Sequence, residues 1–188
     1  MKRAIATLKS LSPYGQNKFV QVEKKAKELA DDYEKRTWRE RVHADENNEV
    51  FIPASAFKNC LAEAAKFLGQ QIPGMGKCTW TKHFEAGIMV VEPLKLGIKK
   101  DDIPGHWQHV PADGKRGGAK RVMKCFPYVE SWRGQVEYII VDNLITEESF
   151  RYHLEQAGSL IGIGVYRPRN CGYWGRFAVE KIQWIDEN

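Results

Sequence analysis

The sequence lacks the features that mark membrane-spanning and secreted proteins. It contains no run of about 18 or more apolar residues, the length that a membrane-spanning helix needs. Its first residues, MKRAIATLKSL, contain neither the apolar stretch nor the small-residue cleavage site of a secretory signal. We therefore expect a cytoplasmic protein that has no membrane partner.

Cysteine is also scarce and scattered. The four cysteines, Cys60, Cys78, Cys125 and Cys171, form no CxxC pair, which argues against a zinc ribbon and against a redox motif. Disulfide frameworks are typical of small secreted chains, so we expect free thiols. No repeat of fixed period occurs, and 188 residues of which 43% are hydrophobic suffice for one packed core. The prediction is a single domain over residues 1–188.

Acidic residues are outnumbered. The chain has 29 lysines and arginines against 24 aspartates and glutamates, which gives a formal net charge of +5. A positive charge favours an anionic partner such as nucleic acid. The positions of the cations must then indicate where such a partner binds.

Hydrophobic periodicity predicts six core elements. The predicted strands cover residues 3–11, 87–94, 134–143 and 175–185. The first predicted helix begins with Ser55 as its N-cap and ends at Gly69, and the second begins with Thr146 as its N-cap. The resulting order is β, α, β, β, α, β.

This order is that of the ferredoxin-like split βαβ fold, in which two helices cover one face of a four-stranded antiparallel sheet. The predicted fold class is therefore α+β, ferredoxin-like and RRM-like, with two basic insertions at about residues 14–50 and 95–134. In the first insertion, residues 22–38 predict an exposed helix and residues 38–43 a returning strand. In the second, residues 120–130 predict an extended segment.

The stretch GIGVYRPRNCGYWGRF, residues 162–177, lies between the second helix and the last strand. Its glycines allow a backbone to approach a ligand closely, and consecutive N–H groups can face an anion. Its arginines are candidate phosphate donors, and its aromatic side chains are candidate stacking surfaces for unpaired bases. These candidates are Arg167, Arg169, Arg176, Tyr166, Tyr173 and Trp174. The alternative is a turn-rich connection whose aromatic side chains close the edge of the core.

Other basic residues are further candidates for phosphate binding. The run ADGKRGGAKRVMK is either a phosphate clamp that becomes ordered on binding or a solvated loop. Its candidates are Lys115, Arg116, Lys120 and Arg121. Lys58 would lie one turn past the Ser55 cap, from which it can project toward a phosphate at the helix N-terminus.

The histidines predict neither a metal site nor catalysis. His106 and His109 are spaced HxxH, but no acidic or thiol residue is near them in sequence, so we expect no metal and no cofactor. His43 or His153 would be the general base of an RNA-cleaving protein. His153 falls on the apolar face of its predicted helix, however, where a core position is expected. We therefore expect no catalytic residue and no enzyme activity.

Three stretches resemble motifs of the RAMP superfamily, the repeat-associated proteins that form CRISPR effector complexes. VFIPASAFKNCLAEAA is similar to the IPGSSLKG signature at the first helix of that family: Pro53, Ser55 and Lys58 match it, whereas Ala54 and Ala56 replace a glycine and a serine. GSLIGIGVYRPRNCGYWGRFAVEKI resembles the C-terminal glycine-rich loop and last strand, and LKSLSPYGQ follows the first strand. The resemblance implies an RRM-like fold with thumb-like and finger-like insertions that grips guide RNA along its backbone.

The sequence thus predicts a protein that binds the backbone of single-stranded nucleic acid, and the resemblance implies that guide RNA is the ligand. The protein would act as a subunit of a CRISPR-type ribonucleoprotein, or as a virus-borne or plasmid-borne mimic or inhibitor of one. Its partners would be other subunits of such a complex or copies of itself. Two alternatives remain open: a metal-independent endoribonuclease of the same fold and a single-stranded DNA-binding protein of a mobile element.

Overall fold

The computed structural model describes residues 1–112 and 120–186. Its strands, in chain order, are β1 (Lys2–Ser10), β2 (Tyr14–Gly15), β3 (Glu49–Ile52), β4 (Ile88–Met89), β5 (Leu94–Lys99), β6 (Gly105–Pro111), β7 (Arg121–Val129), β8 (Arg133–Ile140) and β9 (Phe177–Asp186). Its α-helices are α1 (Ala30–Thr37), α2 (Ala54–Leu68), α3 (Thr81–Ala86) and α4 (Glu147–Gln156). Short 3₁₀ turns cover Trp38–Arg41, Lys100–Asp102 and Pro168–Asn170, and a π-helical turn, Ala157–Ile161, continues α4. None of the helices in these two ranges is long and apolar enough to cross a membrane.

Four strands form one antiparallel sheet in the order β4–β8–β1–β9. Helix α2 lies in the chain between β1 and β4, and α4 lies between β8 and β9. The connection is therefore the βαββαβ of a ferredoxin-like fold, and the predicted α+β fold class is confirmed. Strand β1 is central: Ala6 lies opposite Val136 of β8 and Ile182 of β9.

Strand β1 has the two-residue side-chain period of a strand with one buried face. Ala4, Ala6 and Leu8 are 0% exposed, while Ile5 and Thr7 between them are only half-buried. Successive side chains of a strand point to opposite faces, so the buried three face the helices. The strand predicted over residues 3–11 is confirmed.

Both helices pack on that buried face. Tyr138 of β8 meets Phe150 of α4 edge to face, with ring centroids 5.1 Å apart. Phe57 of α2 packs against Phe177 of β9 at 6.5 Å. The core therefore lies between α2, α4 and the sheet.

Three of the helix ends depend on residues that the sequence marks. Helix α2 begins at Ala54 with Pro53 as its N-cap, so the predicted cap at Ser55 is wrong. Proline has no N–H group to satisfy and can precede a helix without a side-chain cap. Gly69, at φ +56°, ends the helix in the left-handed region, as predicted. Thr146 caps α4, as predicted, and it exchanges hydrogen bonds of 3.2 and 3.0 Å with Ser149 in a capping box.

A β-bulge interrupts β9. Thr7 of β1 lies opposite Lys181, but Leu8 lies opposite Val179, which leaves Glu180 as an extra residue. Odd-numbered side chains face the core before the bulge, and even-numbered side chains face it afterwards. An uninterrupted two-residue alternation therefore does not hold along this strand, although the strand predicted over residues 175–185 is present.

The second core strand is shorter than predicted. Strand β4 contains two residues instead of the predicted 87–94. The chain leaves the sheet after Met89, and Leu94 then begins β5, where it pairs with Ile52 of β3. Pro93, directly before β5, has no N–H group for a strand ladder, so β4 and β5 do not continue as one strand.

The first insertion contains less helix than predicted and no returning strand. Helix α1 covers eight residues of the predicted 22–38, and residues 38–41 form a 3₁₀ turn. Trp38 is only 9% exposed, and the Arg39 guanidinium donates to the carbonyls of Asp101 at 2.7 Å and Ile103 at 3.2 Å. These long-range contacts fix a turn where the local sequence resembled a strand.

A second sheet is formed within the insertions. Strands β6 and β7 form an antiparallel hairpin, and β2 joins β7 through the pairing of Tyr14 with Val129. The predicted extended segment at 120–130 is therefore confirmed as β7. All four cysteines are free, as predicted, and Cys60 and Cys125 are buried.

Glu34 joins the two insertions. Its side chain, on α1, is 2% exposed and accepts hydrogen bonds from the Cys125 N–H at 2.7 Å, from Lys124 Nζ at 3.0 Å and from the Arg41 guanidinium. Burial alone would raise the pKa of Glu34, but these three donors hold it below its ordinary value. Helix α1 is thus attached to the β6–β7 hairpin by a buried charged network.

Candidate nucleic-acid interface

The uncovered face of the four-stranded sheet offers no aromatic side chain in the described ranges. Its side chains, in register, are Met89, Ile139, Arg3, Ile185, Glu137, Ile5, Gln183, Gln135, Thr7, Lys181, Arg133, Lys9 and Ala178. RRM proteins bind RNA by stacking bases on aromatic side chains of this face. The described residues of this face present no ring of that kind, and the glycine-rich loop, residues 162–176, is the candidate interface predicted from the sequence.

Trp174 anchors the glycine-rich loop to the hairpin of β6 and β7. Its ring centroid lies 5.1 Å from that of His106 and 5.4 Å from that of Tyr128, both on the hairpin. It also contacts Tyr166 of the loop at 5.4 Å, and it is only 5% exposed. No face of Trp174 is open to a base, so the stacking role assigned to it from sequence is corrected to packing.

Two glycines serve the internal packing of the loop. A Cβ at Gly172 would overlap the carbonyl group of Tyr166. Gly175 has a φ of +76°, and a Cβ there would overlap the carbonyl oxygen of Ile163. The close approach predicted from these glycines is therefore made by the loop's own backbone.

Arg167 and Arg169 converge on one carboxylate of α2. Nη1 of Arg167 lies 2.7 Å from Oε2 of Glu63, and Nε of Arg169 lies 3.2 Å from Oε1. The Arg169 guanidinium also lies 5.4 Å from the ring centroid of Phe67. The side chains of Arg167 and Arg169 are 25% and 46% exposed, so both remain at the surface. The structure therefore brings these two predicted phosphate donors together.

Arg176 and the two tyrosines of the loop have different surroundings. Nε of Arg176 donates to the carbonyl of Ser159 and Nη1 to that of Tyr173, both at 3.2 Å, so this guanidinium joins the loop to the π-helical turn after α4. Tyr166 has a φ of +55°, its hydroxyl is buried without a hydrogen-bond partner, and burial raises the pKa of that hydroxyl. Tyr173 is 65% exposed and is the aromatic side chain of the loop that a base can reach.

Lys58 lies apart from the two clustered arginines. Its Nζ donates to the carbonyl of Glu85, at the end of α3, at 2.6 Å. Arg167 instead contacts Glu63, farther along α2. Lys58 is thus held by the end of α3, whereas the arginines contact Glu63 and Phe67 of α2.

Two of the four basic residues predicted to form a phosphate clamp lie in the described part of the hairpin. Lys120 is exposed just before β7, and Arg121 donates to the carbonyl of His109 at 3.2 Å. Lys115 and Arg116 lie outside the described residues. Of the predicted clamp, two cations are thus located, at the end of the hairpin where Arg121 pairs with Pro111. Trp174 packs at the other end of the hairpin, against His106 and Tyr128.

The histidines occupy mainly structural positions. His153 is 0% exposed, lies 4.3 Å from the Phe84 ring and has its Nδ1 2.7 Å from the carbonyl oxygen of Ser149, which confirms the predicted core position. Burial lowers the pKa of His153, and burial together with nearby Lys18 lowers the pKa of His43. In the described part of the chain, no three histidine, cysteine or acidic side chains are grouped as metal ligands.

Sequence reasoning missed Glu63 and Phe67. Both lie on α2 outside its apolar stripe, four residues apart and hence on one face of the helix. Phe67 is 54% exposed. A phenylalanine away from the core stripe of an amphipathic helix was the available signal, because such a position is normally polar.

The comparisons with known proteins identify the fold. No protein-family model matches the sequence, and no curated protein matches it. A chain in the cryo-EM structure of the type III-B Cmr-beta bound to cognate target RNA is similar to it, with a TM-score of 0.55 and 11% sequence identity. The similarity covers 98% of this chain but 61% of the neighbour, so the protein spans less than two thirds of that chain's length. At this identity the likeness establishes the shared fold.

Proposed function

We propose that the protein binds single-stranded RNA along its backbone and acts in, or against, a CRISPR-type ribonucleoprotein as a relative of the RAMP superfamily. The observation that carries the proposal is the convergence of Arg167 and Arg169 on one carboxylate at the surface of the glycine-rich loop. Guide RNA, with other subunits of the complex or further copies of the chain, would be its partners. The likeness to a chain of an RNA-bound Cmr complex supports the same proposal.

The arginine pair has the chemistry that a phosphodiester requires. Arg167 and Arg169 place two guanidinium nitrogens within 3.2 Å of the two oxygens of a singly charged group. A phosphodiester presents two such oxygens with the same charge, and arginine binds them with charge-assisted hydrogen bonds. Tyr173, 65% exposed in the same loop, adds a ring on which an unpaired base can stack.

Binding without catalysis is the activity we propose. His153, one of the two histidines considered as a general base, is 0% exposed and cannot reach a strand on the surface. Metal-independent RNA cleavage is the second candidate function, and one observation favours it: Nδ1 of His83 lies 2.6 Å from Oδ2 of Asp142, with both side chains about one quarter exposed. Such a carboxylate orients a histidine for proton transfer. Cleavage of RNA that His83→Ala abolishes would establish this second function.

The first expected result is a steep dependence of RNA binding on salt. Phosphate contacts dominate the proposed interface, and each one releases counterions. Raising the salt concentration from about 50 to 200 mM should therefore weaken binding by orders of magnitude if six or more phosphates are contacted. Fluorescence anisotropy with labelled single-stranded RNA and DNA of the same sequence measures the salt dependence of the affinity. It also measures the preference of the protein for RNA or DNA. Affinity that hardly changes with salt would contradict backbone binding, and a DNA preference would favour the mobile-element alternative.

The second expected result concerns the double variant Arg167→Ala, Arg169→Ala. Removal of both guanidiniums should lower RNA affinity and reduce the salt slope by about one unit for each lost phosphate contact. The matched control is Arg133→Ala, Arg151→Ala, which removes the same charge from two arginines that are paired with glutamates elsewhere. Equal losses in the two double variants would show a net-charge effect and would contradict a phosphate site at the loop.

A further inference from the structure

The outer face of α2 forms one wall of a cavity beside the arginine pair. This cavity has a volume of about 480 Å³ and is lined by Ala62, Glu63, Lys66, Phe67, Glu85 and Arg169. Small-ligand sites have volumes of roughly 300–1,000 Å³, so one nucleotide of a strand fits this space. Neither Glu63 nor Phe67 belongs to the apolar core.

Glu63 occupies the position that a phosphate would take. Its two oxygens accept from two different arginines at 2.7 and 3.2 Å, and its side chain is 30% exposed. A carboxylate and a phosphodiester carry the same charge and offer two oxygens in a similar fork. Glu63 therefore holds both guanidiniums in place before a ligand arrives, and an incoming phosphate must displace it. Because this ion pair is open to solvent, its displacement costs little.

Phe67 offers the aromatic face that Trp174 does not. It is 54% exposed, it lines the cavity, and Arg169 lies over its ring. A base attached to a phosphate on Arg169 can therefore stack on Phe67, next to the guanidinium. Glu85 also lines the cavity, and a carboxylate can accept a hydrogen bond from the amino group of a base.

We propose that Glu63, Phe67, Arg167 and Arg169 form a single-nucleotide subsite, in which the backbone phosphate replaces Glu63 on the arginines and the adjoining base lies on Phe67. This inference rests on the proposed RNA binding and adds a specific position for one nucleotide. It assigns Glu63 the role of a competing internal anion and Phe67 the role of a stacking platform.

Glu63→Gln tests the competition. The amide keeps the size of the side chain but no longer holds the two arginines by charge, so RNA affinity should rise about fivefold, the upper value for an exposed ion pair, because two pairs are lost. Glu137→Gln is the matched control, since it breaks the ion pair of Glu137 with Arg3 on the uncovered sheet face and changes the net charge equally. An increase no larger than that of the control would overturn the role of Glu63.

Phe67→Ala tests the stacking. Loss of one stacked base should lower RNA affinity on the order of tenfold without changing the salt slope. Phe67→Trp should retain or raise the affinity, because it preserves the aromatic face. Phe19→Ala is the control, because Phe19 is 89% exposed in the first insertion and does not line the cavity. Melting temperatures equal to that of the parent protein show that each variant is folded.

The outcomes separate this inference from the proposed function. If the parent protein binds no single-stranded RNA at low salt, the proposed function is overturned and the subsite with it. If the parent binds RNA and the arginine double variant does not, while Phe67→Ala binds like Phe19→Ala, the proposed function stands and the nucleotide subsite is overturned. Higher affinity of Glu63→Gln together with a loss in Phe67→Ala that Phe67→Trp restores supports the subsite.

Discussion

Trp174→Ala is expected to lower the free energy of unfolding by about 3–5 kcal/mol, as truncation of a large buried aromatic side chain does. Trp174 is 5% exposed, and it fills the space between the glycine-rich loop and the β6–β7 hairpin through His106 and Tyr128. Alanine would leave a cavity that the surrounding rings cannot close. Urea unfolding followed by circular dichroism measures the loss.

Tyr173→Ala is the matched control for this prediction. The neighbouring ring is 65% exposed, so its removal should change the stability by no more than about 0.5 kcal/mol. A Trp174→Ala protein as stable as the parent, but with lost RNA affinity, would contradict the packing role. It would restore the base-stacking role expected from the sequence.

Glu34→Gln is expected to destabilise the protein by about 3 kcal/mol. The substitution leaves the Arg41 guanidinium and the Lys124 ammonium without their shared buried counter-charge, and breaking a buried ion pair on one side costs this much. Thermal unfolding measures the change. The control is Glu40→Gln, which breaks the exposed pair of Glu40 with Lys100 and should have a much smaller effect. Equal losses in the two variants would contradict the role of the buried network.

The same carboxylate should make stability depend on acid. The pKa of Glu34 is lowered in the folded protein, so its contribution is complete above about pH 4.3, the ordinary value, and is lost as the pH falls through the lowered folded-state pKa. The stability difference between the parent and Glu34→Gln should therefore be constant above about pH 4.3 and shrink as the pH is lowered further. A difference that stays constant over this range would show that Glu34 acts through shape alone.

The parts of the fold that sequence reasoning predicts correctly are those set by local pattern. The alternation of Ala4, Ala6 and Leu8 marks the central strand, and Thr146 marks the start of α4. The bulge at Glu180 was not predicted, because it depends on the register of β9 against β1, which is a property of two distant segments. The 3₁₀ turn at Trp38 likewise depends on contacts with residues around 100–103.

The candidate site shows the same division. That Arg167 and Arg169 lie together at the surface follows from their spacing in one loop. The position of Glu63 between the two arginines cannot be predicted in this way, because Glu63 is more than 100 positions earlier in the chain. An exposed and a buried aromatic residue cannot be distinguished within a run of glycines and arginines, so Tyr173 and Trp174 were given the same role. The two residues differ because the hairpin covers Trp174 through His106 and leaves Tyr173 exposed.

The two outer strands of the four-stranded sheet influence how the protein behaves at high concentration. Open strand edges are templates on which further chains add and aggregate. On one side the sheet ends in β4, which at two residues is too short to guide another strand. On the other side β9 has its bulge at Glu180, next to the charged Lys181, and both of these residues are exposed. A bulge and adjacent charges on an edge oppose amyloid-like addition, so β9 can be ten residues long and still resist sheet-to-sheet polymerisation.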